Sequence, residues 1–470
     1  MNGPTVTPSH AQILTVAGAF FLEVLDATVM LVAILAMASD LSAGISGVTL
    51  ALATYLLALV VFTPLSSYLL NQLTLADKCQ AGLVIFIGGS VACAFSPNLL
   101  MLCLARFTQG FGSALIVPAG RALILSHTPK HALANTIAWL ITPALTAPMV
   151  APYIAHVMLS VGSWRWIFVL IACLAMAVLI ASRKYLCALP SPNTAAPTLN
   201  WYAYAGWVVC SSAIFMVFVF SSNHQLYSAA VAGCVAIVSA ATGVIKLRKT
   251  TRCHLFNRSL LANPLFRLTV FSGSLFRISI YAFPTVLIIH LMQAPPPHAV
   301  SAEHALFFIF AGNFLAKPVA VKGLKNDQHL RRFFICSSSA TALTLSLFFI
   351  PNLNQAPALL WLACFLHGAA RSFQFLGYST SSVMNLAPNR LHRATILTGS
   401  VMQLNALIGQ SIPALLAALF IPVHLSDASR LTFFNVGLGT VTALSFITVL
   451  TALCLPTSHN RPDPSPPLVD

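Results

Sequence analysis

"LARFTQGFGSALIVPAGRAL", residues 104–123, carries charge only at Arg106 and Arg121. A helix needs about 20 mostly apolar residues to cross a hydrocarbon core of about 30 Å. The stretch has that length and that character, yet it also holds Gln109, Gly110 and Gly112 near its arginine. An arginine at the centre of a membrane helix costs roughly 2.5–3.5 kcal/mol on insertion scales. Arg106 must therefore face a protein interior or a wet cavity, and it needs an acid from elsewhere in the chain. The two glycines let another backbone approach on that helix.

The surrounding chain has the composition of a membrane protein. Of its 470 residues 58% are hydrophobic and 7% charged, and the mean hydropathy is +0.86. A soluble domain carries about 25% charged residues, so this chain has too few to cover a water-facing surface. Fourteen apolar segments are long enough to span: 12–38, 47–70, 80–96, 98–125, 132–160, 164–182, 201–222, 226–246, 265–292, 301–321, 333–350, 355–385, 392–421 and 430–455. The spacing predicts an N-terminal six-helix bundle over 1–182 and a polar, proline-rich linker over 183–200. Two extra helices and a basic loop follow over 201–258. A second six-helix bundle fills 259–456, and a disordered cytoplasmic tail fills 457–470. The first apolar segment is too long for a signal peptide and reads as a retained span.

Positive charge tests that count. With both termini cytoplasmic, nineteen of the 24 Lys and Arg residues fall on cytoplasmic segments or helix ends. Only Arg165 and Arg430 fall on the other side, and Arg106, Arg277 and Arg371 stay within spans. This is the asymmetry that orients membrane helices. The net charge of +15 is thus mainly a topology signal, and charge scattered over short loops does not make a nucleic-acid surface. The eleven cysteines are dispersed without a CxxC pair, so neither a disulfide framework nor a metal site is expected. No HExxH, GxSxG or GxxxxGK[ST] motif is present; the reading is of a chain that is not an enzyme, not an ATP-driven pump, and needs no cofactor.

The acid that Arg106 requires is found in "FLEVLDATVM", residues 21–30, where two of the chain's nine acidic residues lie inside the first span. Glu23 and Asp26 are three apart and share a helix face. Loss of water favours a neutral carboxyl and a nearby guanidinium favours an ionised one. A group so balanced switches protonation when its surroundings change, as proton coupling requires. The plainer alternative is a permanent ion pair that holds two helices together. Pro143, Pro148 and Pro152 fall within the fifth span; each removes a helical donor, so a bent helix is expected there. Gln109, Arg277, Arg371, His367 and Gln403 are the remaining polar candidates for a substrate cavity. Three in-span arginines against two carboxylates favour an anionic ligand over a hydrophobic cation, unless Arg277 and Arg371 are absorbed by backbone carbonyls and helix ends.

"LDATV", "RFTQGFGSALIVPAGR", "APMVAP" and "SWRWIF" resemble the major facilitator superfamily, in particular its fourteen-helix drug:proton antiporter branch. "LFRLTVFSGSLFRISIYAFP" and "GAARSFQFLGYSTSSVMNLAP" resemble the MdtD-like group within it. The resemblance extends over nearly the whole chain. It implies an all-α integral membrane protein with the major facilitator fold: two six-helix bundles around a central cavity and two extra helices, about 14 transmembrane helices in all. It implies a secondary active transporter, a proton-coupled exporter of a drug or metabolite. Asp26 and Arg106, with Glu23 beside them, would serve proton coupling. Pro143, Pro148 and Pro152 would form the bend of the antiporter motif. The implied setting is the inner (plasma) membrane, crossed many times by a monomer with cytoplasmic termini, whose partners are a small-molecule substrate, protons and lipid. Alternatives are an exporter of an anionic metabolite or siderophore, or a non-transporting ligand-binding relative. Departures are visible: Ala147 and Ala151-Pro152 replace motif glycines, Leu31 stands at a usual asparagine, and Asn71 and Thr74 replace the aspartate and glycine of the loop over 66–80.

Overall fold

The computed structural model describes residues 7–66, 68, 73–129, 132–187, 189, 200–222, 225–249, 260, 263–292, 302–324, 330–350, 353–382, 388–420 and 427–455. Among them the secondary structure is helical, with no strand. The first six long helices are α1 (His10–Asp40), α2 (Ile45–Leu65), α3 (Leu75–Ala94), α4 (Leu99–Ser126), α5 (Leu133–Ser160) and α6 (Arg165–Tyr185). Two more follow, α7 (Trp201–Ser222) and α8 (Leu226–Lys249). The remainder are α9 (Pro264–Met292), α10 (Ala302–Leu315), α11 (Lys317–Leu324), α12 (Leu330–Ser346), α13 (Pro357–Ser381), α14 (Pro388–Phe420) and α15 (Asp427–Leu453). Among the described residues, twelve helices are long and apolar enough to cross a membrane, and α8 has a shorter apolar core, Tyr227–Gly243. With its 33 residues, α14 is also long enough to span.

Helix ends depart from the sequence reading where local polar chemistry decides them. The third span starts at Leu75 rather than 80 because Thr74 caps it: the Thr74 hydroxyl accepts from the Asp77 N–H at 3.1 Å. Asp77 also lies in the first turn, where a carboxylate suits the helix dipole. The span expected over 301–321 is present as one apolar stretch, His304–Gly323, with a turn at Ala316 between α10 and α11. Pro318 lacks the N–H that would continue the helix through this point and crowds the preceding turn. At the other extreme α6 runs on to Tyr185, with Arg183 and Lys184 in its last turn, where positive charge is favoured. A capping box starts α1: Ser9 and Gln12 bond each other's backbone, and Gln12 Nε2 also reaches the Tyr185 carbonyl at 3.0 Å.

Helices α1–α6 share one apolar core, which takes in Leu25, Val29, Phe86, Leu102, Trp164 and Phe168. Helices α9, α10, α12, α13 and α15 build a second, with Phe283, Val286, Phe348 and Leu438 fully or almost fully buried. The two bundles meet along α2 with α14 and along α5 with α10. Tyr153 and Phe307 cross the second seam edge to face, 5.6 Å between ring centres. Tyr281 on α9 and Leu404, Ala406 and Leu407 on α14 pack against the first bundle's core. The extra helix α7 lies against both α2 and α14, and α8 lies against α7. Large apolar side chains of α8 such as Tyr227 and Ile237 remain exposed, as lipid-facing residues would be.

Candidate functional site

The site begins with how closely α4 approaches its neighbours. A Cβ on Gly110 would lie 2.5 Å from the Tyr55 carbonyl oxygen on α2, and one on Gly112 would lie 2.6 Å from the Phe86 nitrogen on α3. No side chain fits at either crossing, so α4 is seated directly on two backbones. That seating carries Arg106 and Gln109, three residues apart, to the middle of the first bundle.

There the described residues form a closed polar network. Arg106 Nη1 donates to Asp26 Oδ2 at 2.6 Å and to Gln109 Oε1 at 2.6 Å. Gln109 Nε2 donates to Asp26 Oδ1 at 3.0 Å and to the Ser90 hydroxyl at 2.9 Å. Ser90 in turn donates to the Phe86 carbonyl at 2.8 Å. Asp26, Arg106, Gln109 and Ser90 are all 0% exposed. The Tyr55 ring lies under the guanidinium, 4.4 Å from Cζ, a placement in which a ring face attracts a cation. Nε and Nη2 of Arg106 have no hydrogen-bond partner among the described residues. Both carboxylate oxygens of Asp26 are thus engaged, one by a charge and one by an amide, while the arginine holds donors in reserve.

Glu23, one turn earlier on α1, is only partly buried. It accepts from Gln403 Nε2 on α14 at 3.4 Å, a long contact that crosses the seam between the bundles. The other residues singled out from sequence lie elsewhere. Arg277 on α9 is 2% exposed; its Nη1 donates to the Thr269 carbonyl at 3.3 Å, and its Nε has no partner among the described residues. Arg371 on α13 is 8% exposed, with Cζ 5.0 Å from the Phe310 ring centre and Nη1 unpartnered among the described residues. His367 lies inside the second bundle, near the Thr344 hydroxyl at 3.3 Å and beside the Phe283 ring. Pro143, Pro148 and Pro152 all fall within the continuous helix α5, where Ala147, Ala151 and Ala155 form a fully buried stripe. Helices α1 and α5 run in close contact. Of the loop over 66–80, residues 67 and 69–72, including Asn71, lie outside the described residues.

Sequence reading passed over Tyr55, Ser90 and Tyr281. A single Ser or Tyr in an apolar span carries no pattern of its own; these three acquire meaning only from what they face. Spacing offered one clue for Ser90: Gly89 precedes it, and a Cβ there would lie 2.7 Å from the Gln109 backbone nitrogen.

Two helical bundles thus meet at a seam, and a charged pair lies buried inside the first of them. A profile of the Major Facilitator Superfamily matches residues 16–248. Proteins named MdtD, for multidrug resistance, from Shigella flexneri serotype 5b (strain 8401) and from Escherichia coli O157:H7 are each 26% identical to the chain over 446 residues. In both cases the match covers 94% of this chain and 93% of the relative. The structure of a POT family transporter in complex with 5-aminolevulinic acid superposes with a TM-score of 0.68 at 15% identity, covering 94% of this chain and 96% of that one. A peptide transporter POT in complex with sulfate gives 0.69 at 13% identity, covering 94% of each chain. The chain is thus similar to this superfamily over residues 16–248 and to the MdtD relatives over nearly all of its length. It is a multi-pass membrane protein and a secondary transporter of small molecules, not an enzyme.

Proposed function

We propose that the chain is a proton-coupled exporter, an antiporter of small molecules of the kind named for its multidrug-resistance relatives, working as a monomer in the inner membrane with both termini in the cytoplasm. The bundles are assigned to 1–182 and 259–456, joined through 183–200 and 201–258. The observation that carries the proposal is the Asp26–Arg106 pair, fully buried and closed by Gln109 and Ser90.

Protonating Asp26 removes the negative partner of a guanidinium that has no other acid among the described residues within its network. The pair that fastens α1 to α4 then weakens, and the relative stability of two arrangements of the bundles changes with it. Glu23 gives this event a route to the seam: it shares a face with Asp26, is partly exposed, and touches Gln403 of the opposite bundle. Alternation of the bundles about such a site is the general scheme of secondary transport. The proline-containing α5 and its small-residue stripe beside α1 supply the surface over which α1 shifts.

The test is uphill transport in proteoliposomes under an imposed pH gradient, with drugs and organic acids as probes. Wild type accumulates at least one probe against its gradient. Asp26→Asn exchanges that probe at equilibrium without accumulating it. Gradient-driven accumulation by Asp26→Asn as strong as wild type overturns the proposal.

A further inference from the structure

Two short patterns occur twice in the chain. "FIGGS", residues 86–90 on α3, matches "FICSS", residues 334–338 on α12. "ARFTQGFG", residues 105–112 on α4, matches "ARSFQFLG", residues 370–377 on α13. Both bundles use the shared residues in the same way. Ser90 donates to the Phe86 carbonyl at 2.8 Å, and Ser338 to the Phe334 carbonyl at 2.6 Å. A Cβ on Gly112 would lie 2.6 Å from the Phe86 nitrogen, and one on Gly377 would lie 2.9 Å from the Phe334 ring. Arg106 lies over the Tyr55 ring of α2, 4.4 Å from Cζ, and Arg371 over the Phe310 ring of α10, 5.0 Å from Cζ. The setting that holds a buried arginine is therefore built twice.

Its acid is built once. In the first bundle Asp26 Oδ2 accepts from Arg106 Nη1 at 2.6 Å, and Oδ1 accepts from Gln109 Nε2 at 3.0 Å. In the second bundle α9 has no Asp or Glu from Pro264 to Met292. The acids beyond residue 260 are Glu303, Asp327, Asp427, Asp463 and Asp470, and none falls in the interior of a described helix. Arg371 Nη1 and Gln374 Oε1 both lack a hydrogen-bond partner among the described residues. Their counterparts, Arg106 Nη1 and Gln109 Oε1, bond each other at 2.6 Å. Gln374 Nε2 donates instead to the Thr448 hydroxyl at 3.2 Å. A buried charge without a partner is unfavourable, and a guanidinium is a fork whose best partner is a carboxylate. Arg371 keeps 8% of its surface accessible, whereas Arg106 has none, so an occupant from outside the fold can meet Arg371 directly.

We infer that Arg371 is a carboxylate-binding site: the acid that the first bundle supplies as Asp26 is supplied in the second by a small organic acid. One carboxylate oxygen accepts from Arg371 Nη1. With its charge matched, the guanidinium also makes the bond to Gln374 Oε1 that closes the network in the first bundle. The loaded second bundle then holds the same set of groups as the first: arginine, glutamine, serine and carboxylate. Neither Asp26 nor a proton takes part, so the site stands apart from the proton-exchange reading.

The experiment uses the purified full-length chain in buffer free of carboxylates. Formate, acetate, propionate and benzoate are each compared with the neutral amide of the same acid, and with chloride at equal ionic strength. Binding is read by thermal shift and by calorimetry. At least one carboxylate should bind about tenfold or more tightly than its amide and than chloride. Arg371→Gln should abolish that preference. Arg371→Lys, which keeps the charge but not the fork, should keep part of it, and Gln374→Leu should weaken binding less than Arg371→Gln does. Stability gives an independent reading. Arg106→Met strands Asp26 and should lower the melting temperature, whereas Arg371→Met removes a lone cation and should not lower it in carboxylate-free buffer. The inference is overturned if no carboxylate outperforms its amide, if chloride binds as well, or if folded Arg371→Gln binds as wild type does. It is equally overturned if Arg371→Met melts as far below wild type as Arg106→Met, since Arg371 would then have a partner within the chain. Any of these results leaves Asp26-dependent flux, and with it the exporter reading, standing. Carboxylate binding that needs Arg371, without proton-driven flux, does the reverse.

Discussion

Trp207 on α7 donates its indole N–H to the carbonyl of Val60 on α2, 2.8 Å away. That carbonyl is the one Pro64 leaves without its helical donor, four residues on. Tyr204, one turn earlier, reaches the next carbonyl, Val61, at 3.2 Å. An extra helix outside the two bundles thus completes the backbone of a seam helix and also packs against α14 on the far side of that seam.

Trp207→Phe keeps the ring and removes the donor. It should lower stability by about 1 kcal/mol, the range found for interhelical hydrogen bonds in membranes. Tyr204→Phe should cost less, because its bond is longer. Thermal melting of the purified variants in detergent checks both. Equal melting temperatures for wild type and Trp207→Phe would mean that the Val60 carbonyl is satisfied without α7.

The crossings beneath the site give a steric prediction. Gly110→Ala would place a methyl 2.5 Å from the Tyr55 carbonyl oxygen, and Gly112→Ala one 2.6 Å from the Phe86 nitrogen. Backbone cannot yield as a side chain can, so both variants should lose folded yield or melt well below wild type. Gly88→Ala and Gly439→Ala, with nothing within 4 Å of the new carbon, should be neutral within about 0.5 kcal/mol. Size-exclusion profiles and melting curves of the four variants make the comparison.

The ion pair at the centre and the one at the rim should behave differently. Asp40 and Arg165 join the end of α1 to the start of α6, with Trp164 Nε1 also donating to Asp40 at 3.0 Å, but both charged side chains are partly exposed. Arg165→Ala should therefore cost only about 0.2–1 kcal/mol, and less at high salt. Asp26→Ala or Arg106→Ala, each leaving one buried partner alone, should cost about 3–5 kcal/mol. The double variant should cost less than the two single losses together, by about 0.5–3 kcal/mol of coupling. Chemical unfolding of the four proteins closes the cycle, and strict additivity would show that the pair does not interact.

Much of this was legible in the chain. Hydropathy located the spans because lipid leaves the backbone no other way to satisfy its polar groups. Arg106 pointed to an acid, and the scarcity of acids pointed to Asp26 and Glu23. Gln109 followed from its spacing to Arg106. What did not show was whatever depends on a second helix. Ser90 and Tyr55 are ordinary residues in apolar runs until α4 is seated against them. The turn at Ala316 within the tenth span came from Pro318, visible in the sequence but also compatible with a kink. Trp207 gave no sign of a hydrogen-bonding role, since an indole in a membrane helix is usually read as an interfacial anchor. The orphan carbonyl it serves was nevertheless announced by Pro64.

Ser90→Ala tests the outer edge of the network. Gln109 would keep Asp26 and Arg106 but lose the bond that fixes its amide to α3. Proton-driven transport should persist at a reduced rate, with a stability loss near 1 kcal/mol. Gln109→Leu, which frees one Asp26 oxygen from its amide donor, should impair coupling more severely than Ser90→Ala. Flux ratios with and without a pH gradient separate the two.

The most direct measurement of the central claim is the proton movement that accompanies substrate. Proteoliposomes loaded with a pH-sensitive dye receive a downhill substrate gradient and no imposed pH gradient. Wild type should drive protons in the direction opposite to substrate, and Asp26→Asn should pass substrate without moving protons. Proton counterflow by Asp26→Asn equal to that of wild type would contradict the account.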